Sequence, residues 1–200
     1  MSRIRILVWD APNMDMSLGK FFDNGPPKSF RPNMDAVMTW FVARCGTDKP
    51  VACIFANVKP NEASNPKFHG WLRYLLGKDF CLFLKPKDAS GEGDIDDDML
   101  QFIRARQGDD LAEVIIASHD AKCFNDLITE LTTAGVKVTV LGYTELVNGF
   151  DFSANLSFMD LEAVPNGFSQ PLPRFPNIWC LPDEGTYFNP SDRLRNPRLS

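Results

Sequence analysis

Aspartates follow two hydrophobic runs of the chain, each near the point where a buried strand would end. Asp10 follows the run at residues 4–9, and the run at residues 114–117 is followed by Ser118 and, two residues later, Asp120. The carboxyl ends of parallel strands meet at one edge of a sheet, where open α/β proteins bind their ligands. Carboxylates held close together repel each other, and a divalent cation removes that repulsion. The pattern predicts a Mg²⁺-type site with oxygen ligands.

A third acidic segment lies at residues 94–98, where four of the five residues are aspartate. A calcium loop starting at Asp94 would need glycine at its sixth position and glutamate at its twelfth. Met99 and Ala105 occupy those positions, which excludes an EF-hand. Asp94 and Asp98 share a helical face if the helix starts early enough, and such a face would complete an acidic cluster.

Helix capping is the competing explanation for each of these aspartates. Asp120 directly precedes a predicted helix at residues 121–134, where an N-cap aspartate is common. For Asp10 capping is the weaker explanation, because Pro12 interrupts the pattern and no clear helix begins there. The aspartates at residues 94–98 also suit the first turn of a helix, whose dipole favours negative charge.

Alternating strands and helices must position these residues. The strand-like runs are short and apolar without strict alternation, as in strands buried on both faces, and lie at residues 4–9, 51–56, 80–84, 114–117 and 136–141. Segments with helical spacing separate them, at residues 34–45, 68–76, 97–107 and 121–134. We therefore predict an α/β, Rossmann-like domain with a mostly parallel sheet of about five strands flanked by helices.

Composition limits the class of protein. The 200 residues predict one α/β domain at residues 1–150 and a proline-rich C-terminal arm at residues 151–200 that packs on it, anchored by Phe168, Phe175, Trp179 and Phe188. A net charge of −5 argues against a large basic surface for nucleic acid. Five scattered cysteines, no secretory signal and no bilayer-spanning run predict a cytoplasmic protein that does not enter a membrane. The sequence leaves its oligomeric state open.

The order of these motifs resembles the NYN family, a branch of the PIN-like nucleases that includes limkain-type and LabA-like proteins. The matching pieces span roughly residues 3–145. The first is D-x-x-N at Asp10 and Asn13, and the second is a basic strand end at Lys85 and Lys87 followed by the acidic residues 94–98. The third is S-x-D at Ser118 and Asp120, and the last is G-x-x-V-x-V-x-G at residues 135–142.

The resemblance implies a PIN-like fold and a Mg²⁺- or Mn²⁺-dependent ribonuclease that cleaves RNA phosphodiester bonds. On this basis the catalytic residues are Asp10, Asn13, Asp94, Asp98 and Asp120, and the four aspartates are the metal ligands. Asp96 competes with Asp98 for its place. The residues assigned to substrate binding are Ser118, Lys85, Lys87 and Lys122.

One departure from the family favours a second function. Lys122 stands where the family often has a further aspartate, so it removes a ligand or contacts a phosphate. The alternative is a non-catalytic PIN-like module that binds RNA or protein. Pro12 occupies the position of the second aspartate in the D-x-D motif of haloacid dehalogenase-type enzymes, which argues against that class. No G-x-G-x-x-G follows the first strand, which argues against dinucleotide binding. Further candidates for RNA contacts are Lys59, Lys67 and Arg73 for phosphates and Phe68 and Trp71 for bases.

Overall fold

A six-stranded parallel sheet with the strand order β3-β2-β1-β4-β5-β6 organises the chain. The computed structural model describes residues 3–22, 25–59, 64–87, 94–108, 110–150, 152 and 155–173. The strands are β1 (Ile4–Asp10), β2 (Lys49–Val58), β3 (Cys81–Pro86), β4 (Leu111–Ala117), β5 (Lys137–Gly142) and β6 (Leu156–Asp160). Every neighbouring pair of strands is parallel, which confirms the predicted Rossmann-like α/β class.

Helices cover both faces of this sheet. They are α1 (Ala11–Gly19), α2 (Met34–Cys45), α3 (Pro66–Leu76), α4 (Asp96–Arg104) and α5 (Ala121–Thr133), with short 3-10 helices at Lys28–Phe30, Thr144–Leu146 and Leu161–Ala163. Side chains of α1, α2 and α3 pack with one set of alternate strand residues, including Leu7 and Ile54. Side chains of α4 and α5 pack with the other set, including Val8 and Ile116. Successive strand residues point to opposite faces, so β1 and β4 contribute to both cores.

Two elements differ from the sequence prediction. Helix α1 begins at Ala11, immediately after β1, and Pro12 lies in its first turn. Proline is well tolerated there because the first-turn amides have no helical partner, so Pro12 begins a helix rather than interrupting one. The second is β6, which lies beyond residue 150 within the predicted arm and pairs with β5 at the sheet edge. Of the aromatic anchors predicted for that arm, Phe168 packs against the core, and those at residues 175, 179 and 188 lie outside the described residues.

A buried ion network joins the amino-terminal ends of the central strands. Glu113 is 1% exposed and accepts hydrogen bonds from the guanidinium groups of Arg5 (2.7 Å) and Arg44 (2.7 Å) and from the hydroxyl of Thr139 (2.9 Å). The two cations and the hydroxyl satisfy a carboxylate that would be costly to bury alone. This network ties β1, β4 and β5 to α2 at the end of the sheet opposite the carboxyl ends of the strands.

The strand order reverses direction at the centre of the sheet. From β1 the chain moves outward to β2 and β3, returns to pair β4 with the other side of β1, and continues outward to β5 and β6. Ligands of open α/β sheets bind beyond the carboxyl ends of the strands at such a switch point. Here the switch point lies between β1 and β4. No helix of the described segments is long and apolar enough to cross a bilayer.

Candidate acidic site at the switch point

Asp10 lies at the carboxyl end of β1 with its side chain almost fully buried. One carboxylate oxygen accepts the backbone N–H of Asn13 (3.1 Å), which makes Asp10 the N-cap of α1. The other accepts the hydroxyl of Ser118 (2.9 Å). Burial raises the pKa of Asp10, while these two hydrogen bonds oppose the rise. Capping, judged the weaker explanation from sequence, is therefore part of what Asp10 does, and it also fixes the carboxylate in one orientation.

The residues after β4 bind to this carboxylate from the other side of the switch point. Ser118 is fully buried, and its oxygen also accepts the backbone N–H of Asp120 (3.2 Å). Asp120 in turn caps α5 by accepting the N–H of Cys123 (3.2 Å). Ser118, predicted to bind substrate, has a fully buried hydroxyl that links Asp10 to the backbone of Asp120.

Asn13 joins α1 to the loop after β4. Its side-chain oxygen accepts the backbone N–H of His119 (2.9 Å), and the Ser17 hydroxyl approaches the same oxygen at 3.5 Å. The imidazole of His119 stacks on Tyr143 and accepts its backbone N–H (2.8 Å). Burial lowers the pKa of His119 to about 4, so the imidazole is neutral at physiological pH. Both residues therefore hold the site in shape rather than carry protons.

Asp94 and Asp96 complete a group of four carboxyl groups with Asp10 and Asp120, which we call the acidic cluster. Burial is the main cause that raises the pKa of Asp96 to about 6, and the negative charges of Asp94, Asp10 and Asp120 raise it further. The charges of Asp120 and Asp94 likewise raise the pKa of Asp10. These through-space effects indicate that the three acidic segments lie near one another, and the shared metal site stays a prediction. The same four charges help to raise the pKa of the Cys123 thiol, after burial.

Asp98, predicted as a metal ligand, does not belong to this group. Its carboxylate forms an ion pair with Lys85 (2.8 Å), and the same ammonium donates to the backbone carbonyl of Asp94 (2.6 Å). Helix α4 begins only at Asp96, so Asp94 precedes the helix and shares no helical face with Asp98. Asp96, the competing candidate, takes the place in the acidic cluster. Lys85, assigned to substrate binding, instead ties the acidic segment to the end of β3.

The donor chemistry of the acidic cluster fits a hard divalent cation. Among the described residues, no three histidine, cysteine, aspartate or glutamate side chains are close enough to form a finished metal site. Mg²⁺ is commonly held by one or two carboxylates, with waters and substrate oxygens in its other positions. Burial is the main cause that raises the pKa values of Asp10 and Asp96, and the charges of neighbouring carboxylates raise them further, so a bound cation would stabilise the ionised forms of both. Asp10 and Asp120 are the residues that would hold the ion.

A cleft of about 900 Å³ opens at the carboxyl ends of the strands, on the face of the sheet that carries α1, α2 and α3, and none of the four aspartates of the acidic cluster lines it. Its wall includes Ala11 and Pro12, the residues that directly follow Asp10. Aromatic and basic side chains supply much of the remainder, namely Trp9, Phe68, Trp71, Lys28, Arg31, Lys59, Lys67 and Lys87.

Part of this wall follows from the sequence prediction and part does not. Of the residues proposed for RNA contacts, Lys59, Lys67, Lys87, Phe68 and Trp71 line the cleft, whereas Arg73 and Lys85 do not. Lys28 and Arg31 were missed, because they lie in a stretch where no periodic pattern predicts an element. Lys122 is exposed in the first turn of α5 and is not part of the cleft wall.

Comparison with known proteins supports the fold alone. No family model and no curated protein matches the chain. A crystal structure of a protein of unknown function from Vibrio parahaemolyticus is similar, with a TM-score of 0.58 and 20% sequence identity over 84% of this chain and 96% of that one. This likeness agrees with the doubly wound architecture described above. The relation to the NYN family stays a prediction from the motifs.

Proposed function

We propose that this protein is a Mg²⁺- or Mn²⁺-dependent ribonuclease that hydrolyses RNA phosphodiester bonds at the acidic cluster. The observation that carries the proposal is the placement of Asp10, Asp94, Asp96 and Asp120 near the switch point of the sheet. Burial and the charges of Asp120 and Asp94 raise the pKa of Asp10, and burial and the charges of the other three raise the pKa of Asp96. Strand ends at a switch point are where this architecture places its ligands. Carboxyl groups whose pKa values are raised by burial and by neighbouring charges are candidates for a functional site.

The residues around the acidic cluster have separate tasks in this proposal. Asp10 and Asp120 are the direct metal ligands, while Asp94 and Asp96 accept hydrogen bonds from the water shell of the ion. The bound ion supplies an activated water and stabilises negative charge on the phosphoryl oxygens. Ser118 keeps the Asp10 carboxylate oriented before any substrate arrives, so little reorganisation is needed.

Positive charge in the cleft offsets the repulsion between an acidic site and an anionic substrate. Four carboxylates repel a phosphodiester, and a divalent ion offsets only part of that charge. Lys59, Lys67 and Lys87 line the cleft, whose wall includes Ala11 and Pro12 directly after Asp10, and they bring positive charge to this edge of the sheet. Substrate phosphates held by these lysines place a neighbouring phosphodiester at the acidic cluster.

A non-catalytic module that binds RNA or protein is the second candidate. Lys122 favours it, because a lysine in the first turn of α5 adds positive charge near Asp120 where the resembling family often has a further carboxylate. In this case the acidic cluster is inert and the cleft alone carries the function.

Cleavage of labelled RNA by the full-length protein tests the proposal. We expect cleavage in Mg²⁺ or Mn²⁺ that EDTA abolishes and that Asp10→Asn reduces on the order of 100-fold or more. Asparagine is as good an N-cap as aspartate, so this variant keeps the fold, which circular dichroism checks. Asp97→Asn is the matched control, because Asp97 is exposed in the first turn of α4. Protein that binds RNA and leaves it intact with both ions would contradict catalysis and favour the module.

A further inference from the structure

The cleft on the face of the sheet that carries α1, α2 and α3 combines positive charge with accessible aromatic rings. We infer that it binds an unpaired polynucleotide strand, with the Phe68–Trp71 pair as a base-stacking surface and the surrounding lysines as phosphate contacts. This inference deepens the proposed function and rests on it for the use to which the bound strand is put. The binding itself requires neither a metal ion nor turnover.

Charge complementarity identifies a polyanion as the occupant. Five cationic side chains line the cleft against one carboxylate, that of Asp15. Asp15 forms an ion pair with Arg31 (2.7 Å), so even this carboxylate has a cationic partner. The whole chain carries a net charge of −5. A local excess of positive charge on an acidic protein attracts phosphates to this cleft and repels them from most other surfaces.

The distribution of the cations favours a chain of phosphates over a single one. Lys59 follows β2, Lys67 is in the first turn of α3, and Lys87 follows β3. Neighbouring strands are about 4.8 Å apart, so β3 lies roughly 10 Å from β1, where the acidic cluster begins. One phosphate group cannot reach both ends of such a path. A strand that crosses the carboxyl ends of β3 and β2 meets Lys87 and Lys59 in turn.

The aromatic pair favours unpaired bases over a duplex. Phe68 and Trp71 stack with ring centroids 5.8 Å apart and an angle of 29° between their planes, and both are half-buried in the cleft wall. Trp71 packs partly against the core, and Phe68 extends the aromatic surface outward from it. Bases within a duplex already stack on one another, whereas an unpaired base offers both faces to such rings.

Fluorescence anisotropy with a labelled RNA strand of about 12 nucleotides tests the inference. The Asp10→Asn protein in EDTA is used, so that binding is measured without cleavage. We expect Phe68→Ala to weaken binding roughly 5- to 100-fold, since one base loses its stacking partner. We expect Lys67→Gln to lower the slope of log affinity against log salt by about one. Lys137→Gln, an exposed change at the amino-terminal end of β5, is the control and should leave binding unchanged.

Two results would overturn the inference. One is a duplex of the same sequence that binds as tightly as the single strand. The other is binding by Phe68→Ala and Lys67→Gln that equals binding by Lys137→Gln. The proposed ribonuclease activity can fail separately: strand binding that depends on Phe68 without any cleavage by the wild-type protein supports the inference and rejects catalysis. Cleavage by the wild-type protein together with binding that does not depend on Phe68 supports catalysis and rejects the inference.

Discussion

Replacing Asp96 by asparagine should stabilise the metal-free protein at neutral pH. The folded structure raises the pKa of Asp96 from its ordinary value of 3.8 to about 6, through burial and the charges of Asp94, Asp10 and Asp120. The native state therefore binds this proton more tightly than the unfolded chain does. Its contribution to stability is fully present below about pH 4 and is lost as the pH rises through about 6. Asparagine cannot ionise, so it avoids that loss.

The size of the effect follows from the same pKa. One pKa unit corresponds to about 1.36 kcal/mol, so the rise from 3.8 to about 6 sets an upper limit of about 3 kcal/mol. Asp96 is only half-buried, and solvent screening reduces this limit to about 1 kcal/mol. We therefore expect Asp96→Asn to raise the free energy of unfolding by about 1 kcal/mol at about pH 7.5 and by close to zero at about pH 4.

Urea unfolding monitored by tryptophan fluorescence across this pH range, in EDTA, measures the difference. Asp97→Asn is the control, because it removes the same favourable interaction between the first turn of α4 and the helix dipole. A gain that is the same at all pH values, or no gain relative to Asp97→Asn, would refute the reasoning that like charges crowd Asp96. In Mg²⁺ the wild-type protein should recover stability and Asp96→Asn should recover less, if the acidic cluster holds the ion.

Three further changes test the framework around the site, each by urea unfolding. Gly142→Ala should destabilise the protein by about 1–3 kcal/mol, because the new methyl group would lie 2.6 Å from the imidazole nitrogen of His119. Its control is Gly70→Ala, whose methyl group meets no atom within 4 Å and should change stability by less than about 1 kcal/mol. Glu113→Gln should lower the free energy of unfolding by about 3–5 kcal/mol at neutral pH, because it removes the buried charge that pairs with Arg5 and Arg44. The loss should shrink as the pH falls through the lowered pKa of Glu113. The control Glu130→Gln, in an exposed ion pair, should cost less than about 1 kcal/mol. Lys85→Met should lower the free energy of unfolding by about 1 kcal/mol or less. It should also speed amide hydrogen exchange around Asp94 and Asp98, the residues that Lys85 binds. Unchanged exchange there would contradict the tethering role of Lys85.

Local pattern was sufficient for most of the framework. The first five strands and four of the five helices follow from runs of apolar residues and from helical spacing, because these periodicities record which faces are buried. The sequence also predicted that Asp10 and Asp120 lie just beyond the carboxyl ends of two strands. Parallel strands bring their carboxyl ends to one edge, so these two residues were expected to lie close together if their strands are neighbours, and the strand order makes β1 and β4 neighbours.

Other features were missed because their local signals are ambiguous. Pro12 fits both the first turn of a helix and a break in one, and sequence alone did not distinguish them. Strand β6 is five residues long and contains serine and aspartate, so it resembles a loop until β5 offers it a partner. The choice between Asp96 and Asp98 depended on the residue at which α4 begins, and helix boundaries are the least certain part of a sequence prediction.

The sequence by itself determined the fold class and the aspartates that follow two of the strands, since both depend on residues close together in the chain. The tertiary structure decided that these two strands, β1 and β4, are neighbours. The tertiary structure decided which carboxyl groups form the acidic cluster, because burial and the charges of Asp10, Asp94 and Asp120 act on Asp96 through space. It also decided that Lys28, Lys67 and Lys87 share one cleft with Trp71. These residues come from separate segments, and the strand order brings them together.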